Sequence, residues 1–337
     1  MTSLVIQTAF LGDVVLTTPL LEALAGRHGP VDVVTTPAAA PLLETHPAVR
    51  QVIPYDKKGR DRGLGGLFRL ARTLRAERYE WAYLPHRSLR TALAAWIARI
   101  PRRVGFHDGW RWLYTDVRSR ATESHEIDRL LALAGADTRL ARPSLHITIA
   151  DTAATEGFLR EHGIGADFIA LAPGSIWGSK RWPYYRELAE RLAGNGAIVV
   201  VGGPEDAGLA QDIVKAVEGG GGRWRAASGC GTLTLRQSAE VIRRAAVLVT
   251  NDSAPLHFAQ AVDTPTVAIF GSTVPAFGFG PRGPRDQVVG LDGLPCRPCS
   301  AHGPPSCPLG HHRCMRSLTV EDVLHAIEET GALRRRD

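Results

Sequence analysis

Short apolar runs of strand length alternate, along the whole 337-residue chain, with stretches in which apolar residues recur every third or fourth position. The runs at 3–7, 31–35, 50–54, 80–84 and 102–106 predict strands, with helices between them at 13–27, 65–77 and 88–99. A helical stretch from about Glu123 to Gly135, the run SLHITI and a further helix lead to Gly163, where the pattern starts again. Strands at 168–172, 197–201, 246–250 and 265–270 then alternate with helices at 183–194, 205–217, 234–245 and 254–262. Such alternation predicts an α/β fold of two doubly wound, Rossmann-like domains with parallel sheets covered on both faces. The domains are expected at 1–160 and 161–318, with a last helix in 319–337 packing back toward the first and a ligand cleft between the two.

One polar residue interrupts the first helical pattern. In TAFLGDVVLTTPLLEAL, Asp13 follows the turn that ends the first strand. As a helix cap it would satisfy free N–H groups and sit well in the helix dipole, and a carboxylate so placed is expected to stay ionised at neutral pH. The same junction is also where parallel sheets place their chemistry.

Composition narrows the partners. Hydrophobic residues make up 44% and charged residues 22%, an ordinary globular balance, and every long apolar stretch carries a charge. The N-terminal run lacks a basic leader and contains Asp13, so it reads as a strand and helix rather than a signal peptide, and a cytoplasmic protein is expected. A net charge of +6 suits an anionic surface or a phosphorylated small molecule. Nucleic acid is the weakest partner, because no aromatic-interleaved or finger-type signature appears.

Three motifs in the second half bear on chemistry. FIALAPGSIWGSKRWP runs from strand through a turn with Gly174 and Ser175 into a helix, with Lys180 and Arg181 beside it, which suits an anion. Its spacing is neither that of a P-loop nor that of a dinucleotide fingerprint. VVVGGPEDAGLA carries Glu205 and Asp206, either helix caps or acceptors for a ribose. In VLVTNDSAPLHFAQAV, Asp252 and Ser253 are expected to cap the helix that carries His257, itself either a core residue or a ligand contact.

Taken together, LGDVVLTTPLL, APGSIWGSKRWP, NDSAPLHFAQAVDTPTVAIFG and the cysteine-bearing tail resemble the ADP-heptose:lipopolysaccharide heptosyltransferases of glycosyltransferase family 9, in particular those of the heptosyltransferase II type. The resemblance implies a GT-B fold and inverting, metal-independent transfer of heptose from ADP-heptose to the lipopolysaccharide core. Asp13 matches the family's general base, and Lys180 the lysine that neutralises the departing diphosphate. Gly174, Ser175, Arg181, Asp252, Ser253, Ala254 and His257 fall on the donor side. Ala254 and Pro255 depart from the family's usual glycine, and Pro255 removes one N–H from that turn. The implied partners are ADP-heptose, a lipid A–core acceptor and, peripherally, the inner membrane. The same fold acting on another nucleotide sugar, or binding one without turnover, are the rival readings.

Lys57, Lys58, Arg60 and Arg62, in the densest basic stretch of the first half, and His86 and Arg87 after the fourth strand are the candidates for an anionic acceptor. Four of the five cysteines, Cys296, Cys299, Cys307 and Cys314, fall in CRPCSAHGPPSCPLGHHRC beside His311 and His312. That spacing fits either a structural zinc or reduced thiols packing a loop, and no cofactor is expected for catalysis.

Overall fold

The computed structural model describes residues 2–136, 141–220 and 224–332. The chain forms two compact units, Met1–His146 and Ile147–Asp337. In the first, β1 (Ser3–Ile6), β2 (Val31–Thr35), β3 (Val49–Pro54), β4 (Trp81–Leu84), β5 (Arg102–Phe106) and β6 (Asp116–Arg118) form one parallel sheet. Its order is β3-β2-β1-β4-β5-β6. The helices are α1 (Leu11–Leu16), α2 (Thr18–His28), α3 (Ala40–Leu43), α4 (Gly63–Ala76), α5 (Leu89–Ile97) and α6 (Glu126–Ala134).

The second unit repeats this plan. Its strands β7 (Phe168–Ala172), β8 (Ala197–Val200), β9 (Ala226–Ser228), β10 (Leu248–Asn251), β11 (Thr266–Phe270) and β12 (Gln287–Gly290) are ordered β12-β11-β10-β7-β8-β9, again all parallel. Around them lie α7 (Ile149–Glu161), α8 (Tyr185–Leu192), α9 (Ala207–Gly219), α10 (Leu235–Arg244), α11 (Ala254–Val262), α12 (Arg313–Arg316) and α13 (Val320–Glu329). Central strands β1, β2, β7 and β11 are buried at every residue, as parallel strands covered on both faces must be. In each sheet the strand order reverses once, between β1 and β4 and between β7 and β10. The turns at those carboxyl ends are where such sheets receive ligands.

Several boundaries differ from the expected ones, each for a local reason. The helix expected over 13–27 opens at Leu11 and breaks at Thr17. Pro19 has no N–H to give the Val15 carbonyl, and the Thr18 hydroxyl donates to that oxygen instead, at 2.8 Å. Strands β6, β9 and β12, absent from the expected set, all lie at sheet edges, where burial is partial and the apolar signal is diluted. Helix α7, expected in the first domain, packs on α10 and is tied to it by Arg236 Nε on Asp151 at 2.8 Å, so the division falls at His146. Within 319–337, helix α13 buries Val320, Val323 and Ile327 in the second unit's own core. Residues 333–337 lie outside the described residues. Among the described residues no helix is long and apolar enough to cross a membrane.

Candidate functional site

In the first unit the site is built at the end of β1. Gln7 Nε2 donates to Thr17 Oγ1 at 3.1 Å, tying the turn to the far end of α1. Asp13 stands in the first turn of α1, where its Oδ2 accepts the Phe10 N–H at 3.1 Å. The carboxyl therefore caps, but from the third helical position, with Phe10 in the cap position. The expected capping and ionisation at neutral pH both stand, but the carboxyl is not an ordinary one. Burial pushes its pKa up to about 6 and the charge of Glu126 adds to the rise, while the Phe10 N–H and Arg120 pull the other way. At pH 7 it is still mostly carboxylate, with a proton affinity nearer that of a working base.

The basic loop after β3 divides. Lys57 Nζ reaches the Thr8 carbonyl at 2.7 Å, in the same turn that leads to Asp13, and burial lowers its pKa. Lys58, Arg60 and Arg62 are exposed, with Arg60 3.7 Å from Asp61 and Arg62 at the cap position of α4. A cavity of about 710 Å³ beside edge strand β3 has Arg60, Asp61 and Arg69 in its wall. After β4, partly buried His86 lies at the strand-order reversal, Arg87 pairs with Asp108 at 3.3 Å, and Ser88 Oγ accepts the Thr91 N–H to cap α5.

At the corresponding place in the second unit, the turns after β7 and β10 are locked to each other. Lys180 and Asp252, both buried, meet at 2.6 Å, and the Thr273 hydroxyl donates to the same Asp252 oxygen at 2.6 Å. Asn251, fully buried, donates to the Pro173 carbonyl at 2.8 Å and accepts the Trp182 N–H at 3.1 Å. Arg181 Nε donates to the Ser175 carbonyl at 2.8 Å, and Ser175 Oγ accepts the Trp177 N–H at 3.3 Å.

The expected capping of α11 by Asp252 and Ser253 side chains is corrected. Ser253 holds the cap position without a side-chain cap bond, and Asp252 is engaged by Lys180 and Thr273. Ala254 and Pro255 form the first helical turn, and Pro255 contributes no N–H there. His257 is buried, hydrogen-bonded through Nδ1 to Gln260 Oε1 at 3.0 Å, and held below its ordinary pKa by desolvation, so it is a neutral imidazole.

Asp206 caps its own turn by accepting the Gly203 N–H at 3.2 Å, and burial raises its pKa. Its carboxylate fills the space where a Cβ of Gly174 would stand, 2.1 Å from Oδ2, so any other residue at 174 would force the Asp206 carboxylate to move. Sequence reasoning missed Asn251 and Thr273. Asn251 and Thr273 flank motif residues, but only pairing across the sheet shows what they touch.

The cysteine-rich loop seats on the Lys180 turn. Ser179 Oγ donates to the Pro304 carbonyl at 2.6 Å, His312 Nε2 lies 2.9 Å from the Ser179 carbonyl, and the Cys299 N–H donates to the Ser272 carbonyl at 2.9 Å. Backbone N–H groups of His312, Leu309, Gly310 and His311 lower the Cys307 pKa against the effect of burial, whereas burial raises those of Cys299 and Cys314, the latter to about 11. Cys296 Sγ is 3.9 Å from His311 Nε2. Among the described residues, the group whose ligand atoms all lie within 4.8 Å of one another is elsewhere, at Glu22, His46 and His146. There Ala48 N–H donates to His46 Nδ1 at 3.2 Å, leaving the proton of the neutral ring on Nε2, which faces Ser144 Oγ at 3.0 Å.

Comparison with known proteins adds to this geometry. Residues 67–306 match the family model described as glycosyltransferase family 9 (heptosyltransferase). Lipopolysaccharide heptosyltransferase 2 of Salmonella typhimurium is 29% identical over 292 residues, covering 81% of this chain and 84% of that protein. Among solved structures, a family 9 glycosyltransferase from Veillonella parvula superposes with a TM-score of 0.84 at 25% identity, over 98% of this chain and 96% of that one. The E. coli ADP-heptose lipopolysaccharide heptosyltransferase II superposes at 0.80 with 27% identity, covering 98% of each chain. The two parallel six-stranded sheets are thus those of the GT-B heptosyltransferase fold.

Proposed function

This chain belongs to glycosyltransferase family 9 and is a glycosyltransferase, and from that premise we propose that it transfers heptose from ADP-heptose to the lipopolysaccharide inner core, with inversion and without a catalytic metal. Asp13 is the general base. Its carboxylate takes the proton of an acceptor hydroxyl as that oxygen forms the new bond to the anomeric carbon. The bond from the anomeric carbon to the diphosphate oxygen breaks with its electron pair, and ADP leaves. Attack from the face opposite the leaving group inverts the centre.

Lys180 stabilises the diphosphate. Its ammonium carries three N–H donors, and Asp252 engages one, leaving donors for phosphate oxygens. The locked pair of turns, with Gly174, Ser175, Arg181, Ser253, Ala254 and His257 around it, is the proposed donor site, and Lys57, Lys58, Arg60, Arg62, His86 and Arg87 are the proposed contacts to an anionic acceptor. The enzyme would work in the cytoplasm, at the inner membrane surface where a lipid-anchored acceptor is presented. A structural zinc on Cys296, Cys299, Cys307 and Cys314 would brace the loop on Ser179.

The observation that carries the reading is Asp13 itself: a desolvated carboxyl with a pKa near 6, at the end of β1 where the strand order reverses. The test is a transfer assay with ADP-heptose and other nucleotide sugars, on core acceptors truncated to different depths, with the product's anomeric configuration read by NMR. Transfer from ADP-heptose to one truncation with inversion is expected. Turnover of another donor only would overturn the substrate, and retention of configuration would overturn the mechanism.

A further inference from the structure

Helix α4 presents two faces. One is explained by the fold, because Leu67, Leu70 and Leu74 are buried in the first unit's core. The other is not. Leu64 and Phe68, one turn apart, are 71% and 57% exposed, and α4 is the one helix among the described residues that exposes two large apolar side chains. Residues three or four apart share a helix face, so the row of Leu64 and Phe68 continues through Arg72 and Arg75, both exposed. Among the described residues neither arginine has a side-chain hydrogen bond or ion pair, whereas Arg69, on the flank, is paired with Asp61 at 3.0 Å.

Charge on this stretch is one-sided. Residues 57–76 carry seven cations and one carboxylate, a net +6 that equals the net charge of the whole chain. The carboxylate, Asp61, is buried between Arg69 and Arg60. The acids that bound the stretch are committed elsewhere: Asp56 accepts the N–H groups of Gly59 and Arg60, and Glu77 pairs with Arg50 at 3.3 Å.

Few occupants suit such a row. A free phosphate or a nucleic acid would use the arginines and leave Leu64 and Phe68 in water. A second copy of the chain would bring the same cationic face against this one in an isologous contact, and the two would repel. An anionic bilayer takes both kinds of group: its phosphates attract the cations, and the zone between headgroups and acyl chains accepts the apolar side chains.

We propose that α4 is a membrane-docking face, with Leu64 and Phe68 entering the interface of an anionic phospholipid bilayer and Arg72 and Arg75 on its headgroups. The inference rests on the proposed work at a membrane surface and names the face that meets it. Helix α4 follows directly on the loop of Lys58, Arg60 and Arg62, so docking it would bring those proposed acceptor contacts to a lipid-anchored substrate.

The test is cosedimentation of the full chain with vesicles of phosphatidylcholine and phosphatidylglycerol at about 2:1, beside vesicles of phosphatidylcholine alone. Wild-type protein is expected on the first and not on the second. The Leu64→Ser, Phe68→Ser variant should lower the partition coefficient by about tenfold or more. The Arg72→Gln, Arg75→Gln variant should lower it by about 25-fold, from about fivefold for each cation. All four side chains are exposed, so melting temperatures should stay within about 2 °C of wild type. Should the apolar double variant not fold, Phe68→Ser alone must weaken binding. With a lipid-free core oligosaccharide as acceptor both double variants should keep the wild-type transfer rate, and with the acceptor carried in the anionic vesicles the rate should fall in step with binding.

Unchanged vesicle binding in the apolar variant would overturn the inference, as would equal binding of wild-type protein to the uncharged vesicles. A wild-type dimer that becomes a monomer in the apolar variant, read by light scattering, would overturn it in favour of a second copy on the row. The two readings fail separately. Row-dependent vesicle binding without transfer from ADP-heptose removes the proposed reaction and keeps the docking face, while transfer beside unaltered vesicle binding in both variants removes only the docking face.

Discussion

Replacing Asp13 by asparagine separates its two roles. The amide keeps an oxygen for the Phe10 N–H, so the turn survives, while the charge is lost. Burial is the main reason why the carboxyl titrates near 6 instead of 3.8. A gap of about two units corresponds to roughly 3 kcal/mol by which the folded state resists ionising this group, an upper figure for a partly exposed side chain. Because the folded pKa lies above the unfolded one, stability is greatest below the unfolded value and falls as pH rises through the folded one. Wild-type protein at about pH 7.5 therefore carries a cost that Asp13→Asn lacks, and the two converge below about pH 4.

The variant should be the more stable by up to about 3 kcal/mol at about pH 7.5. Its first-unit melting transition should rise by several degrees, since each kcal/mol moves a domain of this size by about 2–4 °C. Transfer should fall by about 10²–10⁴. Calorimetry at about pH 7.5 and about pH 4, beside rates measured across the same range, tests both halves. A wild-type rate that falls on the acid side with a midpoint near 6 is expected. Equal stability of the two proteins at the higher pH would show that the carboxylate is not desolvated. Near-normal turnover of Asp13→Asn would return the residue to capping alone.

Lys180→Met leaves the buried Asp252 carboxylate without its ion-pair partner, so it should cost about 3–5 kcal/mol in the second unit's unfolding as well as transfer. Adding Asp252→Asn should restore the melting temperature while affinity for ADP, measured by calorimetry, stays weak; restored ADP binding would show that Lys180 serves the fold and not the diphosphate. For the cysteine-rich loop, a bound zinc predicts about one equivalent of metal per chain by mass spectrometry. Cys307→Ser should lower it sharply, and metal-free protein that keeps its melting temperature would identify the thiols as packing residues.

How far the sequence reaches is visible in particular elements. Strands β1, β2, β7 and β11 are apolar at nearly every position because both faces are covered, and that pattern is local. Edge strands β6, β9 and β12 have no such constraint and left no comparable trace. The motifs around Asp13, Lys180 and Asp252 were legible because strand, turn and helix follow one another in the chain. What each side chain touches was not.

By itself, then, the sequence determined the alternation of strands and helices, the repeated plan and the residues standing at the ends of β1, β7 and β10, since hydrophobic period and turn chemistry act between near neighbours. Only the tertiary structure decided that Lys180 pairs with Asp252 across 72 positions, that Asp206 fills the space of a side chain at Gly174, and that burial raises the pKa of Asp13. Burial and pairing of charge depend on which elements the fold brings together, and those energies are not carried by any local stretch of chain.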